Sequence, residues 1–144
     1  MQSTKNIFQI IIGTQKEDYH DRILEWLIDP KQPHGLKNRF FVELVYSFTG
    51  ERCNEDIIKL KREFKITETD WADLFIETKT YFIIIDDKVS TSAIHDDKVR
   101  SYAQLGKKLS GDKIFLSVLM SPRELNKDKF IDLNKEEFKI LLWK

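Results

Sequence analysis

The sequence is poor in the residues that build cross-linked or metal-clustered scaffolds. It holds one cysteine, Cys53, in 144 residues, which excludes an intrachain disulfide and a cysteine-based metal cluster. It also has only 3 prolines and 5 glycines, and no linker rich in proline, glycine or serine divides it. We therefore expect a single domain over residues 1–144, in a reducing compartment such as the cytoplasm.

The chain also lacks a net charge and a long apolar run. Its 24 lysines and arginines balance 24 aspartates and glutamates. This balance argues against a whole-surface polyanion binder, so a nucleic acid would have to bind a local basic patch. The apolar runs at residues 7–12 and 81–85 are too short for the roughly 18–20 residues of a membrane span. A hydrophobic content of 41% can still form a core, and we expect a soluble protein with no membrane partner.

Helical spacing of apolar residues predicts a pair of helices near the start of the chain. The first runs over residues 18–28 and stops before Pro30, because a residue that precedes proline disfavours helix. The second runs over residues 38–48 and is closed by Gly50. A later helix is predicted over residues 96–109, with Gly106 as a weak point inside it.

Runs of β-branched and aromatic residues predict strands in the rest of the chain. They lie near residues 58–64, 74–76, 81–85, 114–119 and 140–143. The second and third runs are close enough to form a hairpin. A strand at the end of the chain also suggests that the sequence is a piece of a longer protein.

Two acids and a lysine fall on the predicted hairpin. Asp86 and Lys88 lie two residues apart at the end of the second strand, so they point to the same face. If Thr78 and Lys79 are the central turn residues, Asp73 faces Ile84 and is diagonal to Asp86.

A turn one residue longer or shorter would put Asp87 on that face in place of Asp86. The turn contains neither glycine nor asparagine, so the spacing leaves both positions open.

Paired carboxylates at a sheet edge suit Mg²⁺, which takes one or two protein carboxylates and keeps other positions for water and phosphate oxygens. A neighbouring lysine can orient or deprotonate the attacking water in phosphodiester hydrolysis. The structural alternative is a solvated strand end, in which the acids of the hairpin simply face water.

The first predicted helix carries a more specific pattern. Residues 17–30 read Glu-Asp-Tyr-His-Asp-Arg-Ile-Leu-Glu-Trp-Leu-Ile-Asp-Pro, and His34-Gly35 follows. This pattern resembles the PD-(D/E)xK nuclease superfamily. More narrowly, it is similar to a bacterial family with a Glu-x-x-His helix motif followed by an acid strand, an Arg-Ile-Asp strand and an Ile-Glu-x-Lys strand.

The resemblance extends from Glu17 to about residue 119 and assigns positions to each motif. It matches Glu17 and His20 to the helix motif, Glu63 to the first-strand acid, residues 71–73 to Arg-Ile-Asp and residues 85–88 to Ile-Glu-x-Lys. It thereby selects Asp86 over Asp87. The sequence departs from the pattern at Asp21, where serine is usual, at Trp71, where arginine is usual, and at Lys98, where glutamine is usual.

The resemblance implies a restriction-endonuclease-like α/β fold, with a mixed sheet of about four to five strands flanked by helices. It implies a nuclease that depends on Mg²⁺ or Mn²⁺, acts on DNA in preference to RNA and belongs to a phage-defence setting. The residues it implies are Asp73, Asp86 and Glu17 as catalytic metal ligands, Lys88 as a catalytic residue, and Glu63 and Asp87 as accessory acids.

Substrate binding is assigned to a basic segment and to the first helix. Residues 98–113 carry five basic residues against Asp112, a local charge of +4. We assign nucleic-acid contacts to Lys98, Arg100, Tyr102 and His20. His34-Gly35 is interpreted as a turn that fixes the helix pair, and a homo-oligomer is compatible with the sequence.

Two other interpretations compete with the nuclease. One is a non-catalytic nucleic-acid-binding or interaction module that keeps the fold and the basic helix but does not bind metal. The other is a small structural domain.

Overall fold

The structure, a computed structural model, describes residues 17–66, 68, 71–87, 104, 106–121 and 138–142. For residues 17–20, 87, 121 and 138–142 it describes the backbone alone. The predicted helix over residues 96–109 therefore lies largely outside the described residues, although residues 104 and 106–110 are helical.

The helix pair forms within one residue of the predicted bounds. Helix α1 spans Glu17–Ile28 and helix α2 spans Arg39–Thr49. Gly50 ends α2 in the left-handed conformation, with φ of 75°, and its N–H donates to the Tyr46 carbonyl at 2.8 Å. The predicted closure of this helix by glycine is confirmed.

Five strands form one mixed sheet in the order β1-β2-β3-β4-β5. The first two pairs are antiparallel and the last two are parallel. The sheet and its flanking helices confirm the predicted restriction-endonuclease-like α/β architecture. The strands are β1 Lys59–Lys65, β2 Trp71–Glu77, β3 Tyr81–Asp87, β4 Ile114–Ser121 and β5 Phe138–Leu142.

The two faces of the sheet bury different side chains. On the helix-pair face, residues of α1 and α2 such as Ile28 and Phe41 pack on aliphatic strand residues such as Leu74 and Ile85. The opposite, aromatic face buries Ala72, Phe75, Phe82, Ile84 and Phe115, and Phe64 stacks on Phe75 with ring centroids 4.2 Å apart. Burial on both faces explains why β3 is almost continuously apolar.

Gly106 lies where the helical residues 106–110 come closest to the aromatic face. A Cβ atom at this position would be 2.4 Å from the ring of Phe115, whose side chain is buried, and 3.4 Å from Ile84 Cδ1. The helix interior therefore needs glycine here for a close approach to the sheet. Helix propensity alone had identified the position as a weak point.

We expect Gly106→Ala to lower the free energy of unfolding by about 1–3 kcal/mol, because overpacking outweighs the gain of up to about 1 kcal/mol in helix propensity. Urea denaturation measures the change. Adding Phe115→Leu should recover part of the loss, and fully additive effects of the two substitutions would contradict this contact.

The pairing register of the hairpin differs from the sequence prediction by two residues, because the centre of the turn lies one residue further along the chain. Thr78 N–H donates to the Tyr81 carbonyl at 2.9 Å, so Lys79 and Thr80 are the central residues of the turn. The partner of Ile84 is Phe75, and the predicted pairing of Asp73 with Ile84 is wrong. A shift of two residues preserves the face of every side chain, so Asp73 and Asp86 remain in phase.

The loop before β1 fixes this turn. The Glu55 carboxylate accepts hydrogen bonds from the Thr78 hydroxyl at 2.8 Å and from Thr80 N–H at 3.1 Å, and a third from the Thr80 hydroxyl. These bonds, led by the one from the Thr80 hydroxyl, lower the pKa of Glu55 against the opposing effect of burial. On the other side of the turn, the Lys113 ammonium donates a hydrogen bond to the Thr78 carbonyl at 2.6 Å.

We expect Glu55→Gln to lower the free energy of unfolding at neutral pH by about 1–2 kcal/mol, because the amide nitrogen that replaces one carboxylate oxygen cannot accept a hydrogen bond such as the one from the Thr80 hydroxyl to Oε2. The folded pKa of Glu55 lies below its unfolded value, so this stabilisation is complete above the unfolded pKa of about 4.3 and is lost as the pH falls through the folded pKa. Unfolding of both proteins at several pH values measures the difference. Glu51→Gln, on an exposed residue of the same loop, is the control, and a difference that grows on acidification would contradict the role of Glu55.

Candidate active site

The end of the hairpin away from its turn brings two acids together. The β2–β3 register runs from Glu77↔Phe82 to Leu74↔Ile85, and one further step sets Asp73 opposite Asp86. Directly opposed residues of an antiparallel pair have Cα atoms about 4.5–5.5 Å apart, with side chains on the same face. The predicted meeting of these carboxylates is therefore compatible with the observed register.

A third acid continues the same row across the sheet. The β1–β2 register places Arg62 opposite Leu74 and Phe64 opposite Ala72, so Glu63 lies level with Asp73. Glu63, Asp73 and Asp86 thus occupy one level on three adjacent strands. Glu63 is exposed, Asp73 is half-buried and Asp86 is buried.

The backbone is irregular where β1 and β2 carry these acids. Glu63 has φ of 55°, a left-handed conformation that is uncommon for a residue other than glycine. On β2, Leu74 packs on the helix-pair face, whereas Ala72 and Phe75 both pack on the aromatic face. Strand alternation is therefore interrupted next to Asp73. The pairing of β1 with β2 keeps the same offset on both sides of Asp73, so no extra residue is inserted there.

The burial of Asp86 favours a cationic ligand. Its side chain is 5% exposed, and both carboxylate oxygens are inaccessible to solvent. Carboxylate oxygens are hard ligands of the kind that suits Mg²⁺, and low exposure to water strengthens their attraction for a cation. The residues present thus fit a divalent cation. Among the side chains that the structure describes, no group of three acids, histidines or cysteines has the geometry of a metal site, so a third protein ligand would be a side chain outside this set, such as one described by its backbone alone.

Helix α1 lies beside this row of acids and is tied to it. Glu25 forms an ion pair with Arg62, with Oε2 and Nε 3.6 Å apart. Asp21, one turn earlier, is buried with 7% of its surface exposed. Glu17 lies one turn before Asp21 on the same stripe of the helix, because residues four apart share a face. The spacing of Glu17 and Asp21 alone indicates the shared face, whereas the burial of Asp21 has no signal in the sequence.

The structure leaves several predicted site residues untested. Glu17 and His20 lie in α1 and Asp87 lies in β3, each described by its backbone alone. Lys88, Lys98, Arg100 and Tyr102 lie outside the described residues.

The hairpin spacing left open whether Asp86 or Asp87 shares a face with Asp73, and the strand pairing distinguishes the two positions. Asp86 is level with Leu119, and Asp87 is one step further along, level with Met120. Successive residues of a strand point to opposite faces, so Asp86 is the residue in phase with its partner position 73.

His34 has the structural role that the sequence predicts. Its Nδ1 accepts a hydrogen bond from Leu36 N–H at 3.0 Å, and its Nε2 donates to the Asp29 carbonyl at 2.9 Å. Both bonds form together in the neutral ring with its proton on Nε2. The ring also meets Trp26 edge-on at 5.1 Å, so His34 fixes the connection between α1 and α2.

Comparison with known proteins settles the family. The profile of the PD-(D/E)XK nuclease superfamily matches residues 5–143. The chain belongs to the PD-(D/E)XK nuclease superfamily. This confirms the resemblance drawn from the helix and strand motifs, and membership indicates a nuclease-type function that typically uses a divalent metal. Searches of curated proteins and of solved structures gave no significant match.

Membership of this superfamily implies a nucleic-acid substrate. The part of the chain that the structure describes contains no helix long and apolar enough to cross a membrane.

Proposed function

We propose that the protein is a metal-dependent phosphodiester hydrolase that cleaves DNA in the cytoplasm. The observation that carries the proposal is the register of β2 and β3, which brings Asp73 level with Asp86 when it is extended by one step beyond Leu74 and Ile85, in a chain that matches a nuclease superfamily over almost its whole length. The burial of Asp86 adds support, because a buried carboxylate in a water-poor position binds a hard cation more strongly than one in solvent.

The metal ligands in this proposal are Asp73, Asp86 and Glu17. Mg²⁺ or Mn²⁺ bound there would lower the pKa of a bound water and neutralise charge on the scissile phosphate. The three carboxylates hold and orient the ion. Lys88, which follows Asp86 by two residues, orients or deprotonates the attacking water, and its ammonium offsets the developing charge. Glu63 and Asp87 are accessory acids.

The assay is cleavage of a supercoiled plasmid by the wild-type chain with Mg²⁺, Mn²⁺ or EDTA, together with a calorimetric titration of each ion. We expect cleavage with either ion, none with EDTA, and a saturable heat of binding. Single-stranded DNA and RNA oligonucleotides of the same sequence form a second pair of substrates, and faster cleavage of the RNA than of the DNA would overturn the preference for DNA. Binding of DNA without cleavage and without a heat of metal binding would instead identify a non-catalytic module.

Substrate contacts are proposed for Lys98, Arg100, Tyr102 and His20. We expect Lys98→Gln with Arg100→Gln to weaken binding about equally for unrelated sequences, since phosphate contacts position a strand without reading its bases. The slope of log affinity against log salt should fall by roughly one per charge removed. Fluorescence anisotropy at several salt concentrations measures both.

The matched control for this pair is Lys107→Gln with Lys108→Gln, which removes the same charge from two exposed residues. We expect a smaller loss from the control. An equal loss from both pairs, or a loss confined to one target sequence, would contradict the assignment.

A further inference from the structure

Trp71 is a large aromatic side chain left in water beside the candidate site. It opens β2, an interior strand whose next residue, Ala72, is 1% exposed, yet Trp71 itself is 47% exposed. It precedes Asp73 by two residues, which places their Cα atoms about 7 Å apart along the strand. A single nucleotide can span that distance, so a base on the indole would keep its phosphate close to the carboxylates.

The ring of Trp71 has one lysine beside it. Lys65 is its partner in the β1–β2 register, and the lysine Nζ lies 5.7 Å from the centroid of the indole ring. Lys65 also pairs with Glu68 at 2.9 Å, but both side chains are well exposed, so the ion pair is weak and can exchange for a phosphate. Lys61 and Lys59 lie further along the same edge strand, level with Phe75 and Glu77 and beyond the acids Glu63 and Asp73.

An aromatic face next to ammonium groups is the arrangement that binds a single strand of nucleic acid. Bases stack on the ring whatever their identity, and the cations contact the backbone. A base paired inside a duplex has both faces covered by its neighbours and cannot use such a ring. The arrangement therefore discriminates unpaired from paired nucleotides next to the candidate metal site.

We propose that Trp71 is a stacking platform for one unpaired base of the substrate, with Lys65 contacting the adjoining phosphate. The inference rests on the proposed nuclease function and narrows its substrate to nucleic acid with a single-stranded segment at the cleavage point.

The test measures binding of a fluorescent single-stranded oligonucleotide to the full chain by anisotropy, in EDTA so that the strand stays intact. We expect Trp71→Ala to weaken binding about 5- to 100-fold, and Trp71→Phe to stay close to wild type because a ring is retained. The matched control is Tyr46→Ala. Tyr46 is 43% exposed and has the Arg52 guanidinium 4.6 Å from its ring centroid, but it lies on α2.

A scan of abasic sites along the oligonucleotide isolates the stacking contact. At one position of the oligonucleotide, removal of the base should weaken binding by the wild type about as much as the substitution Trp71→Ala does. Removal of the same base should hardly change the affinity of Trp71→Ala. A blunt duplex of the same sequence should show no effect of Trp71→Ala. Circular dichroism shows whether Trp71→Ala folds. If it does not fold, the abasic scan is compared between the wild type and Trp71→Phe. Stacking then requires that both proteins lose affinity when the base is removed at one and the same position of the oligonucleotide.

The outcomes separate this inference from the proposed function. Plasmid cleavage by the wild type together with unchanged binding by Trp71→Ala would overturn the stacking platform and leave the nuclease in place. The stacking platform would also be overturned if removal of the base weakened binding equally in the wild type and in Trp71→Ala. An equal loss of affinity in Tyr46→Ala and Trp71→Ala would have the same meaning. A wild-type chain that neither binds nor cleaves nucleic acid would overturn both.

Discussion

Replacing Asp73 with asparagine should reduce cleavage at least about a thousandfold, because an amide is a poor ligand for Mg²⁺ and stabilisation worth several kcal/mol is lost from the transition state. The fold should remain intact. The register of β2 and β3, extended by one step beyond Leu74 and Ile85, brings Asp73 level with Asp86, and removing one of two neighbouring acids would relieve their repulsion in the absence of metal. We therefore expect a melting temperature in EDTA that is unchanged or higher than that of the wild type.

The measurement combines plasmid cleavage, calorimetric titration with Mn²⁺ and thermal unfolding in EDTA. Asp56→Asn is the matched control, since it makes the same chemical change at an exposed residue in the loop before β1. Cleavage by Asp73→Asn at the wild-type rate would remove this residue from the site. A collapse of the melting temperature would instead give Asp73 a structural role.

Replacing Lys88 with alanine should lower the cleavage rate about a hundredfold or more while metal binding persists. The reason is that the lysine acts on the attacking water, and loss of general-base or charge stabilisation has an effect of this size. The carboxylates that bind the ion are unchanged in this variant. The calorimetric titration should therefore give a dissociation constant within a few-fold of the wild-type value, in contrast to Asp73→Asn.

Lys79→Ala is the control for Lys88→Ala. Lys79 is exposed in the turn at the opposite end of the same hairpin, so Lys79→Ala removes the same charge at a position far from the acids. We expect no change in its cleavage rate. If Lys88→Ala also cleaves at the wild-type rate, a water-positioning role is excluded and the site reduces to its acids.

The fold was predictable where local signals determine it. Helix α1 ends before Pro30 and α2 ends at Gly50 because these residues act on the backbone next to them. The turn between β2 and β3 has no such residue. Its geometry depends on Glu55, which is 25 residues away from Thr80, and no local spacing reveals that partner.

The candidate site was predictable in the phase of its two strands but not in their register or in its backbone detail. The two-residue error in the turn left Asp73 and Asp86 on one face, because the period of a strand is two. The left-handed conformation at Glu63 and the interrupted alternation beside Asp73 gave no signal in the sequence, since glutamate does not favour such a backbone. The burial of Asp21 likewise depends on how α1 meets the sheet.

The hydrogen bonds of Glu55 have a consequence for the order of folding. A hairpin whose turn residues do not choose a register can pair in several ways, and each register presents a different partner to Asp73. The native pairing becomes favoured once the loop before β1 has docked, which is a contact between distant parts of the chain and forms slowly. We therefore expect Asp73 and Asp86 to come together only after this loop has docked, so contacts outside the hairpin select the partner of Asp73.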